Sequence, residues 1–325
     1  MIVKGLIHAC SSGGARGQLS ILIFHRVLAQ ADSVLNWDPD AREFGQAMRW
    51  IKEWFNVLPL DQAIARLDAN TLPPRAAAIT FDDGYADNCT VAMPILKSHG
   101  LTATFFVATA YLDGGRMWND TVVHSVRNCA KAKLDLSSKG LGVHDLASVH
   151  AVRAAIASIL NDIKYRDPPE RLELANFVAA TAGARLPSDL MLTSEQVRTM
   201  RGAGMLIGAH TATHPILARL KPGQVRTEVL DSKDFLESLL QERISLFAYP
   251  NGRPNVDYRA VDAQIIRALG FDGAVTTAWG VADRASDRMQ LPRFTPWSRS
   301  RCGFGLQLVR NMWQSPSMRT DQIAS

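Results

Sequence analysis

Short apolar runs recur along the chain, separated by longer stretches whose apolar positions fall three and four apart. The first run, Leu19-Ser-Ile-Leu-Ile-Phe-His25, reads as a strand. Residues 41–55 follow, with Phe44, Met48, Ile51 and Phe55 on one face of a helix. A short helix is expected over 61–69, and Pro73-Pro74 breaks the chain before the strand Ala76-Ala-Ala-Ile-Thr-Phe81. Residues 86–98 read as a helix stopped by Gly100, and Thr102–Thr109 as an apolar strand. Over 119–200 the alternation lapses into helical patterns at 145–161 and 169–182, with no strand expected. It resumes with strand Met205–Ala209, helix 222–241, strand Ile244–Tyr249, helix 256–268 and strand Gly273–Thr277.

Strands alternating with helices predict an α/β fold, a mostly parallel sheet with helices outside, either open or closed into a barrel. Residues 119–200 are then a helical insertion, 1–18 an N-terminal tail, and 19–325 a single domain. The length of 325 residues suits one α/β barrel, and 47% hydrophobic content fills a sizeable core. A charged fraction of 21% excludes a disordered or fibrous chain. The net charge of +5 is spread without a basic run, which argues against a nucleic-acid partner. No stretch approaches the roughly 20 apolar residues of a membrane-spanning helix. The start of the chain lacks the apolar core of a secretory signal, so a cytoplasmic protein is expected. Cys10, Cys89, Cys129 and Cys302 form no C-x-x-C pair and read as reduced thiols.

Two motifs carry chemistry. Thr80-Phe81-Asp82-Asp83-Gly84 puts adjacent carboxylates at the C-terminal end of a strand, the edge where parallel α/β sheets and barrels bind ligands. Adjacent acids repel, and desolvating both is costly unless a cation or donors stand beside them. His210-Thr-Ala-Thr-His214 also follows an apolar strand, at a spacing common for zinc ligands; Pro215 limits helix continuation and puts the pair on a loop or single turn. Two neutral imidazoles and one carboxylate make a catalytic metal site with a position open for water, and the other aspartate is free to act as general base.

Thr-Phe-Asp-Asp-Gly followed by His-Thr-x-x-His resembles the polysaccharide deacetylases, the NodB-homology or chitin-deacetylase family, from about residue 19 to 297. The resemblance implies an irregular, incomplete (β/α) barrel that removes acetyl groups from N-acetylhexosamine polymers. It implies Asp82 as the base, and Asp83, His210 and His214 as ligands of one divalent metal ion. That ligand set suits zinc, but also cobalt, nickel or manganese. Two motifs depart from the family pattern. Phe247-Ala-Tyr249-Pro250-Asn-Gly252 lacks the usual arginine, and Leu291-Pro292-Arg293-Phe294 stands where a histidine serves as general acid. Both changes resemble the branch acting on exopolysaccharides such as poly-N-acetylglucosamine. There a first-strand histidine is placed to be the acid, and Phe24-His25-Arg26-Val27 matches it.

His25 is also reached from the residues themselves. Amide hydrolysis needs a proton for a poor amine leaving group, which suits histidine near neutrality. His8 lies in the tail, His99 at a helix end, and His124, His144 and His150 in or beside the insertion; of these and His25, only His25 terminates a core strand. Tyr249 and Pro250 are expected to wall the acetyl pocket, with a backbone N–H helping hold the oxyanion. Arg293 is expected to pair with Asp82 and keep it ionised. Trp118, Asn119 and Asp120 offer an aromatic face and polar groups for a sugar ring, with Trp279 and Trp297 as further aromatics. The expected activity is metal-dependent N-deacetylation of a glycan partner. An amidase or deformylase of a small or lipid-linked amino sugar, and a catalytically silent glycan-binding homologue, are the competing readings.

Overall fold

The computed structural model describes residues 2–313. The first elements are α1 (Ile2–Cys10), β1 (Leu19–Phe24), α2 (Ala41–Trp54), β2 (Asn56–Val57), α3 (Leu60–Asp68), β3 (Ala76–Phe81), α4 (Met93–Ser98) and β4 (Thr104–Val107). The insertion contributes α5 (Trp118–Arg127), β5 (Lys133–Asp135), β6 (Val143–Asp145), α6 (Val149–Ile163) and α7 (Pro168–Ala182). The chain continues through α8 (Ser194–Gly202), β7 (Leu206–Ala209), α9 (Pro222–Leu240), β8 (Leu246–Ala248), α10 (Ala260–Ala268), β9 (Gly273–Val275) and α11 (Arg301–Trp313).

The main sheet is parallel in the order β1-β3-β4-β7-β8-β9, with β2 also paired to β3. It curls, and Leu291–Phe294 draws its edges together: Leu291 bonds to Ala274 and Thr276 on one side, Phe294 to Ile21 and Ile23 on the other. Side chains alternate across each strand, so the two faces are read off by parity. Leu19, Ile21, Ala76, Ala78, Phe106, Leu246 and Ala248 fill the interior, closed at the bottom by Leu60, Ala63, Ile64 and Leu67 of α3. Leu22, Phe24, Ala77, Ile79, Phe81, Phe105 and Phe247 point outward into the core under the surrounding helices. The fold is the mostly parallel, irregular (β/α) barrel expected from the alternation of strands and helices.

Three details differ from expectation. The stretch expected as a tail begins with a helix, because Ile7 of α1 is fully buried and α1 packs on α11. Gly305 permits this contact: a Cβ there would stand 2.7 Å from Val3 Cγ2. Its apolar stretch is short and its partner lies at the far end of the chain, so the local pattern did not mark it. The insertion is helical but holds an antiparallel hairpin, β5–β6. Lys133–Asp135 alternates about one buried apolar residue, Leu134, too little for a strand signal. Finally, α8 buries Val197 and Met200 in the barrel's outer core, so the separate core of the insertion ends before it. No helix among the described residues is long and apolar enough to cross a membrane.

Candidate active site

The alternation that fills the barrel interior also aims side chains at its upper rim. Asp82 continues the inward parity of Ala76, Ala78 and Thr80, and His210 that of Leu206 and Gly208. The chain then turns sharply: Asp83 and Gly84 take φ of 76° and 85°, and Gly84 N–H donates to the Asp82 carbonyl. A positive φ at a non-glycine residue is strained, and such strain persists where surrounding structure over-determines it. At Gly84 a Cβ would meet Val107 Cγ1 at 3.0 Å, which restricts this position to glycine.

Asp83, His210 and His214 converge. Asp83 Oδ1 stands 3.4 Å from His210 Nε2 and 3.3 Å from His214 Nε2. Ligands at 2.0–2.1 Å from a tetrahedral zinc lie about 3.4 Å apart, the distance at which Asp83 stands from both histidines, and the three ligand atoms all lie within 4.8 Å of one another. His210 Nδ1–H donates to the Ala248 carbonyl at 2.7 Å, which orients the ring and aims Nε2 at the cluster. The histidine loop is not helical. Thr211 and His214 have φ of 63° and 53°, and Glu228 of α9 accepts from the backbone N–H of Ala212 and Thr213 and from the Thr213 hydroxyl. Burial holds the His214 imidazole down at about 4, so it is neutral at physiological pH. Burial alone would raise the Asp83 carboxyl, but the hydrogen bond from His210 and the neighbouring His214 imidazole hold it well below the usual range.

Asp82 has a different partner. Arg293 grips it with two hydrogen bonds of 2.6 Å, and both side chains are almost fully buried. The guanidinium is itself fixed by the Thr276 carbonyl and the Thr80 hydroxyl. Burial pushes the Asp82 carboxyl up, but the Arg293 charge, the His210 charge, the hydrogen bonds from Arg293 and the His25 charge together hold it below the usual range, leaving the carboxylate ionised. The pairing expected between these two residues is present.

His25 caps β1 and lines the same cavity, a cleft of about 560 Å³ that also exposes Asp82, Asp83, His210 and His214. Its backbone is held from below. Asn88 donates to the His25 carbonyl, while Asp87 accepts from Val27 N–H and pairs with Arg26 at 2.8 Å. Residues Asn88–Ala92 form a single π-helical turn ahead of α4, a local widening often found at functional sites. Asp38, beside His25 in the cavity, has its carboxyl raised to about 6 by burial.

The supporting residues divide. Trp118 and Asn119 line the cavity. Tyr249 does not: its parity is that of Phe247, so it faces outward, stacks on Tyr258 and donates to the Met289 carbonyl. Neither Tyr249 nor Pro250 reaches the cavity, and Asn251 and Thr277 take the place expected for them. The inward–outward alternation was available in the sequence to place Tyr249. Asp120 is buried under the cavity wall rather than in it, accepting from the Tyr85 hydroxyl at 3.1 and 3.2 Å. Trp297 lines a neighbouring, more apolar cleft of about 480 Å³ with Trp37 and Trp50, and stacks on Trp279. Asp38, Tyr85, Glu228, Lys164 and Arg171 bear on the site without any local motif to announce them.

Burial raises the Asp120 carboxyl to about 7. A raised acid contributes stability below its unfolded pKa near 3.9 and loses it as pH climbs through the folded value. Between pH 4 and 8, chelator-treated wild type should therefore lose up to roughly 4 kcal/mol relative to Asp120→Asn. Denaturant midpoints of both proteins across that range check this; parallel curves would refute it.

The comparisons agree with the geometry. The Streptococcus pyogenes deacetylase PplD, solved in complex with acetate, has a TM-score of 0.60 at 23% identity, covering 91% of this chain and 99% of PplD. IcaB from Ammonifex degensii gives 0.59 at 18% identity, covering 90% and 97%. The Bacillus subtilis (strain 168) protein YxkH, whose assigned name is that of a polysaccharide deacetylase, is 23% identical over 278 residues, 85% of this chain and 70% of YxkH. The sequence profile of the polysaccharide deacetylases matches residues 69–273, from the end of α3 to the start of β9, a span that holds both Asp82-Asp83 and His210-x-x-x-His214. The chain belongs to the polysaccharide deacetylase family.

Proposed function

We propose that this protein is a metal-dependent hydrolase that removes N-acetyl groups from an N-acetylhexosamine-containing polysaccharide of the exopolysaccharide type. The observation that carries this reading is one cavity holding the Asp83-His210-His214 cluster next to an ionised, arginine-paired Asp82. A divalent cation held by those three residues supplies Lewis acidity toward the acetyl carbonyl and toward water. The protein's own groups do the rest. Asp82 accepts the proton of the attacking water, and Arg293 holds its carboxylate oxygens in place. His25, on the rim and free to meet the leaving nitrogen, delivers a proton to the amine. Trp118 lines the cavity where a sugar ring would lie, and Asn119 offers its amide to hydroxyl groups.

Acetate release from N-acetylglucosamine oligomers tests the reading. Release should stop on chelation and return with zinc; chelator-resistant release would remove the metal from the reaction, and no release from any N-acetylated glycan would remove the activity. His25→Ala should lower turnover by about 10²–10⁴, keep its metal, and spare activated acetyl esters, whose leaving groups need no proton. Equal losses on amide and ester would show that His25 is not the acid.

A further inference from the structure

One wall of the cavity comes from the insertion, and among the described residues neither of its cations has an ion-pair partner. Arg171 in the first turn of α7 is 6% exposed and lines the cavity. It donates a long hydrogen bond of 3.4 Å to the Lys164 carbonyl and lies over the face of Trp118 at 5.0 Å. Among the described residues no carboxylate forms an ion pair with it, and burial and the Tyr111 phenol are what act on its charge. None of its nitrogens is sealed off without a partner, so the remaining donors open onto the cavity. A buried cation without a counter-charge is costly, and the positive end of a helix is the wrong place for one. Lys164, half-buried on the same wall, has no ion pair among the described residues either; it lies over the Tyr165 ring, with Asp257 near enough to feel its charge. The other cation of the cavity, Arg26, is committed to Asp87. Of the cavity's carboxylates, Asp82 is neutralised by Arg293 and Asp83 belongs to the metal cluster, while Asp38 sits by His25.

We propose that Arg171 and Lys164 form an anion subsite of the catalytic cavity, taking a carboxylate or phosphate carried by the substrate at or beside the N-acetylated sugar. The inference rests on the deacetylase reading and narrows its substrate to acidic glycans. A guanidinium backed by an aromatic face presents its donors as a planar fork, which suits both anions. A neutral N-acetylglucosamine polymer leaves that fork unfilled.

Three matched disaccharides test this: N-acetylglucosamine joined to glucose, to glucuronate, and to glucose 6-phosphate. Wild-type kcat/KM for acetate release should be at least roughly tenfold higher on one or both charged substrates, and the better of the two identifies the anion. Arg171→Gln should reduce the charged-to-neutral ratio by about tenfold, mainly through KM, with Arg171→Lys recovering part and Lys164→Gln losing less. Equal rates on all three substrates, or an unchanged ratio in folded Arg171→Gln, would overturn the subsite. If Arg171→Gln does not fold, an unchanged ratio in Lys164→Gln overturns it instead. If no disaccharide yields acetate, calorimetry of the two charged disaccharides decides the subsite separately from the deacetylase reading, which the longer N-acetylglucosamine oligomers test. Binding that weakens in the variants supports it, and no binding to wild type refutes it.

Discussion

His214→Ala is expected to lose stoichiometric metal and to reduce acetate release to background while the fold survives. The loop that carries His214 is held by Glu228 and by the Thr211 hydroxyl accepting from His214 N–H, contacts that do not involve the imidazole. Removing a group that merely orients a ligand costs 10–100-fold in metal affinity, so loss of a ligand itself should weaken zinc by at least about a hundredfold. His210→Ala should lose metal as fully and also destabilise the protein, because its ring is buried and satisfies the Ala248 carbonyl. The contrast is readable by metal analysis and thermal melting on the same samples. Full metal content in both variants would falsify the assignment of the cluster.

Asp82→Asn is expected to keep its metal, lose at least about a hundredfold in turnover, and become less stable. The second effect follows from the pair with Arg293. Amide for carboxylate leaves a fully buried guanidinium facing a neutral group, and breaking a buried ion pair in this way costs about 3–5 kcal/mol. The arginine's bonds to Thr276 and Thr80 soften that cost. Combining Asp82→Asn with Arg293→Met removes the orphaned charge, so the double variant should regain stability without regaining turnover. If turnover returned with stability, Asp82 would be a structural partner of Arg293 and not the base. Near-wild-type turnover in Asp82→Asn alone would hand the base to another group.

The aspartate pair and the histidine pair were legible because each directly follows an apolar strand, and strand ends of a parallel sheet meet at one rim. Parity along the strands would also have placed Tyr249, since two residues on from outward-facing Phe247 it must face outward too. Arg293 was reachable as the cation able to replace a missing arginine, though 211 positions separate it from Asp82. The proposed metal ligands, the proposed base and the rim histidine are thus local properties of the chain, set by residue type and by position at a strand end.

Everything that surrounds them depends on packing between distant segments. Glu228 steadies the histidine loop only because α9 runs beside it, and Asn88 holds His25 only because a π-helical turn lies under β1. Arg171 and Lys164 are ordinary basic residues of helical segments until the insertion folds on its own core and turns them toward the cavity. The same holds for α1, whose burial depends on a partner helix near the far end of the chain. Side-chain type and strand parity are encoded within a few residues, so catalytic chemistry can be read along the chain. The walls of the cavity, and with them the glycan it accepts, arise from contacts between segments far apart in sequence, which no local pattern carries.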